Sequence, residues 1–199
     1  MLTCLSLFIT ACSQNTVLPS HKPASSTVAQ PNSTLPPTPL SEVTPQPLGV
    51  VPLNCSSETA THSVFSALGP VVGQAPIWAA GFDGPFAVLH IPASSDTYTR
   101  YGWAWKLIWE VEPHFSQKIT LHGGNLRTRE PLWFQFNGPT TLSPVLDPQQ
   151  PEHPTSVAGE GYTEWGTYVF IATAGCYQIE AAWSGGQGRI VFAAGRQEP

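Results

Sequence analysis

Residues 102–113 read GWAWKLIWEVEP, and no other stretch of this chain restricts its fold so tightly. Successive side chains along a β-strand point to opposite faces of the sheet. Extended, the stretch puts Trp103, Trp105, Leu107, Trp109 and Val111 on one face, and Ala104, Lys106, Ile108, Glu110 and Glu112 on the other. The first face is wholly apolar and belongs in a core. The second carries both carboxylates and is expected to be mostly solvated.

The sequence after about residue 55 follows the same grammar. Short β-type runs are expected at Ile77–Gly81, Phe86–Ile91, Trp103–Val111, Lys118–His122, Trp133–Phe136, Thr167–Ala172, Cys176–Trp183 and Arg189–Ala194. Between them fall the breaks GFDGP, IPASSD, EPHFSQ, HGGN, NGPTTLSP, TAG and SGGQG, whose Gly, Pro, Asn and Asp residues mark turns. SGGQG, set between two strand patterns, reads as a hairpin. No segment carries a clear 3.6-residue period. The expectation is an all-β domain over residues 55–199, a two-sheet immunoglobulin-like sandwich.

Charge sets limits on partners. Only 11% of the 199 residues are charged, against a usual share of about 25%, so Ser, Thr, Gln, Asn and Gly must cover much of the surface. The formal net charge is −5 and no Lys/Arg cluster occurs, which argues against nucleic acid. No apolar run approaches the ~20 residues that span a bilayer as a helix.

Residues 13–54 differ in kind. They hold nine of the 21 prolines and no aromatic residue, and Lys22 and Glu42 are their only charges. Such a segment buries too little apolar surface to offset its ordering entropy. It is expected to be a disordered, partly polyproline II tether. Ahead of it, residues 2–11 (LTCLSLFITA) are apolar or small, a length that fits the core of an export signal. Ile9-Thr10-Ala11-Cys12 resembles the bacterial lipobox, in which Cys12 would receive a diacylglyceryl group and become the first mature residue. No Lys or Arg precedes the apolar run, whereas export signals usually carry one. Residues 1–12 are thus expected to be a lipoprotein signal. The folded domain would then be held on the extracytoplasmic side of a bacterial cell membrane by acyl chains on Cys12.

Cys55 and Cys176 remain after Cys4 and Cys12 are assigned to the signal. In an oxidising compartment they form the one available intramolecular pair. No CxxC or adjacent Cys/His pattern favours a metal-binding thiol.

The run TAGCYQIEAAWSGGQGRIVFAAG, residues 172–195 less its first Ala, together with KLIWEVEPHFSQKITLHGGNL, is similar to the C-terminal part of uncharacterised exported bacterial lipoproteins. In these an aromatic follows a Gly-Cys pair on a strand, and a tight turn leads to an apolar closing strand. Tyr177 stands where Trp is commoner. The resemblance covers residues 55–199 and implies an extracytoplasmic immunoglobulin-like β-sandwich with a Cys55–Cys176 bridge. It carries no activity and transfers no catalytic residue.

Catalytic patterns are weak. There is no GxSxG, and the six His residues show no HxH or HExxH spacing. His90 and His122 end two expected strands and are the only pair that the sequence suggests for a metal. Glu110 and Glu112, two residues apart on one strand, are the only carboxylate pair suggested for a glycoside hydrolase. No catalytic residue, cofactor or metal ligand is therefore assigned, and a non-enzymatic binding or structural role is expected. Its partner would be an envelope protein or, alternatively, a cell-wall or external glycan stacked on aromatic rings. The aromatics outside expected strands are the candidates: Tyr98, Tyr101, Phe115, Tyr162 and Trp165. The long loop at residues 137–161 is a further candidate carrier of function.

Replacing the acceptor thiol tests the anchor. Cys12→Ser is expected to move the protein from the membrane fraction to the soluble fraction of cells, and unchanged membrane association would refute acylation at this position.

Overall fold

The computed structural model describes residues 47–55, 61–62, 69–92, 97–151 and 161–197. Cys12 with the signal-like segment, residues 13–46 of the expected tether, and residues 152–160 of the long loop lie outside the described residues. The described chain forms twelve strands: β1 Thr61–His62, β2 Pro70–Gln74, β3 Ile77–Ala80, β4 Val88–His90, β5 Tyr98–Thr99 and β6 Gly102–Val111 come first. They are followed by β7 Ile119–Asn125, β8 Trp133–Gln135, β9 Val145–Leu146, β10 Thr163–Ile171, β11 Gly175–Trp183 and β12 Gly186–Gly195.

Two sheets result. The first has the order β1-β2-β3-β6-β10-β8, with β5 paired to the start of β6. The second has the order β4-β12-β11-β7-β9. Taking β3, β6, β10 and β8 as A, B, E and D, and β12, β11, β7 and β9 as G, F, C and C′, this is the strand placement of an immunoglobulin-like sandwich. Beyond the added strands β1, β2 and β5 of the first sheet, two features depart from it. The chain visits β8 before β9, so the D and C′ positions are filled in reversed sequence order. In addition β4 adds to β12 as a parallel edge strand, with Val88 opposite Ala193 and His90 opposite Gly195.

β6 is the spine of the first sheet. It pairs with β10 over nine residues, from Trp103↔Ile171 to Val111↔Thr163, and with β3 on its other side. Trp103, Leu107, Trp109 and Val111 are buried and Trp105 partly so, as the alternation requires. Burying side chains of this size stabilises by roughly 1.5–3 kcal/mol each. They meet Ile119, Leu121, Tyr177, Ile179, Ile190 and Phe192 of the second sheet in one core. Trp109 Nε1 donates to Thr167 Oγ1 at 2.9 Å, and Trp105 Nε1 donates to the Gly81 carbonyl at 2.8 Å. At the head of β6, Gly102 has φ +119°, and a Cβ there would lie 2.5 Å from the Ile171 carbonyl oxygen. Only glycine lets the strand begin so close to the end of β10.

The opposite face of β6 departs from the expectation at one residue. Lys106 is exposed, but Glu110 is only 1% exposed. β6 is a central strand, and Glu110 lies in the ladder between Trp78 of β3 and Glu164 of β10. Large neighbours on both sides take it from water.

The end of the expected tether belongs to the domain. Leu48 is buried in the core. Val51 N donates to the Arg196 carbonyl at 3.1 Å, and Arg196 N donates to the Gly49 carbonyl at 2.8 Å. Residues 47–55 thus form a strap that reaches Cys55, which is bridged to Cys176. Tyr177, the next residue, faces the core, so Cys176 faces outward. The bridge therefore fastens the strap to the outer surface of the second sheet, instead of joining the two sheets through the core. Next to it, Tyr177 Oη donates to the Thr173 carbonyl at 2.6 Å, closing the β10–β11 connection as a tyrosine corner does.

The bridge encloses a sequence separation of 121 residues, worth about 4–5 kcal/mol in the chain-entropy model. Full reduction is expected to lower the melting temperature by about 10 °C. Superimposable melting curves with and without reductant would mean that the bridge contributes nothing to stability.

Candidate functional site

Strand parity builds one composite surface. On β10 the odd positions Trp165, Thr167, Val169 and Ile171 are fully buried. Glu164, Gly166, Tyr168 and Phe170 therefore lie on the outer face of the first sheet. The ladder sets them beside Glu110, Ile108, Lys106 and Ala104 of β6. β8 adds Gln135 beside Tyr168 and Trp133 beside Phe170, and β3 adds Trp78 beside Glu110. From Glu164 to Phe170 this side of the sheet extends about 20 Å along the strands, with rings at both ends and polar side chains between; Glu164 and Phe170 are themselves covered by their neighbours, at 7% and 4% exposure.

At the Phe170 end, the Tyr101 ring lies 4.8 Å from Trp133 and 5.7 Å from Phe170, centroid to centroid. The Arg100 guanidinium sits 4.8 Å above the Tyr101 ring. In the middle Tyr168 is 46% exposed. It edges a cavity of about 280 Å³ that is also lined by Lys106, Gln135, Asn137 and Glu164. At the other end Trp78 and Tyr162 are 6.2 Å apart, tilted against each other.

Two of the five aromatics singled out by sequence, Tyr101 and Tyr162, belong to this face. The other three do not. Tyr98 packs edge-on against Trp103 at 5.0 Å, and Phe115 packs edge-on against Trp183 at 5.9 Å; both lean on the core. Trp165 is 0% exposed, because it occupies an inward position of β10 directly opposite Trp109. Trp78, Trp133 and Tyr168, which the sequence reading did not single out, supply the other rings of this face. The long loop contributes through its first residues: Asn137 and Gly138 line the cavity. Beyond them the chain is fastened by the Phe134–Thr141 bridge, by β9 against β7, and by the Lys118–Asp147 ion pair at 2.9 Å.

The Glu110–Glu112 pair does not form the closest pairing of carboxylates. Glu110 instead faces Glu164 directly across the ladder. Burial, and then the neighbouring Glu164 carboxylate, push the Glu110 pKa up to about 7. Glu110 Oε1 has no hydrogen-bond partner among the described residues. His90 and His122 do not meet: β12 and β11 lie between their strands, and His90 is level with Gly195 whereas His122 is level with Arg189, six residues along β12, a separation of about 25 Å. His90 instead approaches Asp83, its Nδ1 3.4 Å from Oδ2, and His122 Nδ1 lies 2.9 Å from Ser143 Oγ. Among the described residues no group of three or more His, Cys, Asp or Glu side chains is arranged to hold a metal ion.

The fold and this face define an all-β, two-sheet sandwich with an aromatic and polar outer surface. No family model matches the chain, and no curated protein or solved structure matches it.

The Glu110 shift makes a signed prediction. Its pKa is raised on folding, so below its ordinary value of 4.5 the neutral side chain costs nothing extra. As pH rises through the interval up to about 7, ionisation destabilises the fold, by about 3 kcal/mol once complete. Glu110→Gln mimics the neutral acid. It is expected to melt several degrees above the unsubstituted protein near pH ~8 and at the same temperature near pH ~4. A difference that does not change with pH would show that Glu110 is not the titrating group.

Proposed function

We propose that this chain is an exported, lipid-anchored bacterial protein of the envelope. Cys12 carries the anchor, residues 13–46 form the tether, and the sandwich is a non-enzymatic binding domain that recognises glycan. The observation that carries the glycan reading is the outer face of the first sheet. There Tyr101, Trp133, Tyr168 and Trp78 lie along one surface with Lys106, Gln135, Asn137 and Glu164 beside them. Sugar rings offer axial C–H faces that stack on aromatic rings, and a rim of hydroxyls that needs both donors and acceptors. Lys106 donates, Glu164 accepts, and Gln135 and Asn137 do both. The face is long enough for several rings of a linear chain. It runs along the outside of a sheet, which suits holding a polymer better than enclosing a small substrate.

Supporting the export half are the lipobox-like Ile9-Thr10-Ala11-Cys12, the Ser/Thr/Pro-rich stretch that follows it, and the Cys55–Cys176 disulfide, which favours an oxidising compartment.

A glycan array probed with the full chain carrying Cys12→Ser tests the binding half. Binding to at least one cell-wall or external polysaccharide is expected. Tyr168→Ala and Trp133→Ala should each weaken it about tenfold or more, read by quenching of tryptophan fluorescence. Failure to retain any glycan, or a bound glycan indifferent to both substitutions, would remove this face from the function.

A further inference from the structure

The outer face of the second sheet has two chemically distinct ends. Arg189, Glu180, Gln178 and Gln187 make one end polar. At the other, the strap crosses Val191, Ala193 and the disulfide. It is flanked by cavities of about 600 and 430 Å³ that share Val50 and Pro52 as a common wall. Apolar side chains rise from this end into water: Leu53 is 94% exposed and Phe86 54%, with Val50 and Leu126 less so. Contiguous apolar patches of this kind on a small domain mark a contact surface. Two cations accompany them. Arg127 lines the larger cavity, and Arg196 is the ladder partner of Val50.

We infer that this end of the second sheet docks on the surface of an anionic lipid bilayer. Leu53 and Phe86 enter the headgroup–acyl boundary, while Arg127 and Arg196 meet lipid phosphates. Charge selects lipid over a protein of ordinary surface: the chain as a whole is acidic, at −5, yet no Asp or Glu among the described residues lines either cavity, and the guanidinium groups at this end belong to Arg127, in the lining of the larger, and to the exposed Arg196, beside Val50 in the ladder. Such groups pair with phosphate through two parallel N–H donors, and an anionic leaflet attracts them. Chain connectivity selects it as well, in so far as the lipid anchor proposed above holds. Only 34 residues lie between Cys12 and Pro47, where the strap begins. A tether of that length spans about 30–35 Å as a coil. It keeps the patch at an effective concentration near the membrane on the order of millimolar. A few exposed apolar side chains and two cations bind only weakly from free solution, but that is enough for a surface already held beside its partner.

Vesicle flotation of the full chain carrying Cys12→Ala, with the disulfide intact, removes acylation from the measurement, and the Leu53→Glu and Phe86→Glu variants separate this contact from any contribution of the apolar residues 2–11. It is expected to float with vesicles of phosphatidylglycerol and phosphatidylcholine, more weakly with phosphatidylcholine alone, and less as salt is raised. Leu53→Glu and Phe86→Glu should each reduce partition about tenfold. Gln187→Glu, the same charge change at the polar end of the face, should leave it unaltered. All four proteins should melt alike, since these side chains are exposed. Three results would overturn the inference: no flotation with the anionic vesicles at millimolar lipid, equal partition of Leu53→Glu, or a concentration-dependent dimer that Leu53→Glu dissolves, which would make a second copy the partner. Because acylation plays no part in the measurement, its failure leaves the Cys12 anchor standing, and membrane fractionation of Cys12→Ser tests that separately.

Discussion

The burial of one face of β6 governs everything else in this domain. Trp103, Leu107, Trp109 and Val111 project inward. Because they sit on a strand, their burial commits Ala104, Lys106, Ile108 and Glu110 to the other side. β10 pairs with β6 over nine residues, so its inward and outward sets are fixed by the same register. A slip of one residue would exchange Trp165 for Glu164 in the core and Tyr168 for Thr167 on the surface. The Trp109–Thr167 hydrogen bond closes the buried side of this ladder, and the Glu110–Glu164 pair stands back to back with it on the other. Core and candidate binding face are therefore two readings of one register.

Much of the fold was legible because its longest strands announce themselves. All eight expected strands appear within a few residues of their observed bounds, and SGGQG is the β11–β12 hairpin, with Gly185 at φ +88°. β2, with Pro70, two valines and Gly73, has too mixed a composition to stand out. β5 and β9 are two residues each and have no periodicity to find. The site was harder to read. Along Tyr168-Val169-Phe170-Ile171 every residue is apolar or aromatic, so the alternation that separates faces in β6 gives no contrast here, and Trp165 could be taken for a surface ring. Only its pairing with Trp109 reveals it as core. Glu110 failed for a related reason. Its position on the outward face was readable, but its burial depends on Trp78 and Glu164 from strands 32 and 54 residues away.

The strap shows how a sequence boundary and a folded boundary come to differ. Residues 47–54 have a tether's composition, rich in proline and free of aromatic and charged residues. What holds them is supplied elsewhere: the core accepts Leu48, the end of β12 offers backbone hydrogen bonds to Gly49 and Val51, and Cys176 offers a covalent tie. The proline-rich sequence loses little entropy when straightened against a sheet, because its φ angles are already restricted. Placing the bridge outside the core also leaves the inner volume to Trp109, Trp165 and Phe192, which fill it without a disulfide between the sheets.

The two outer faces of a sandwich point in opposite directions, about 10 Å of packed core apart, and here their chemistry differs. One carries rings and hydrogen-bonding side chains over much of its length. The other gathers its exposed apolar residues, with Arg127, at the end where the strap enters, and carries Arg189 and Glu180 at the opposite end. A domain resting on lipid by the second would hold the first parallel to the membrane and turned away from it, toward whatever polymer lies outside. A tether alone would leave the aromatic face free to point anywhere, including into the bilayer. Weak docking by Leu53 and Phe86 would remove that freedom while leaving the domain able to lift off. The orientation of the binding face would then be set by the same nine-residue strap that the Cys55–Cys176 bridge fastens to the second sheet.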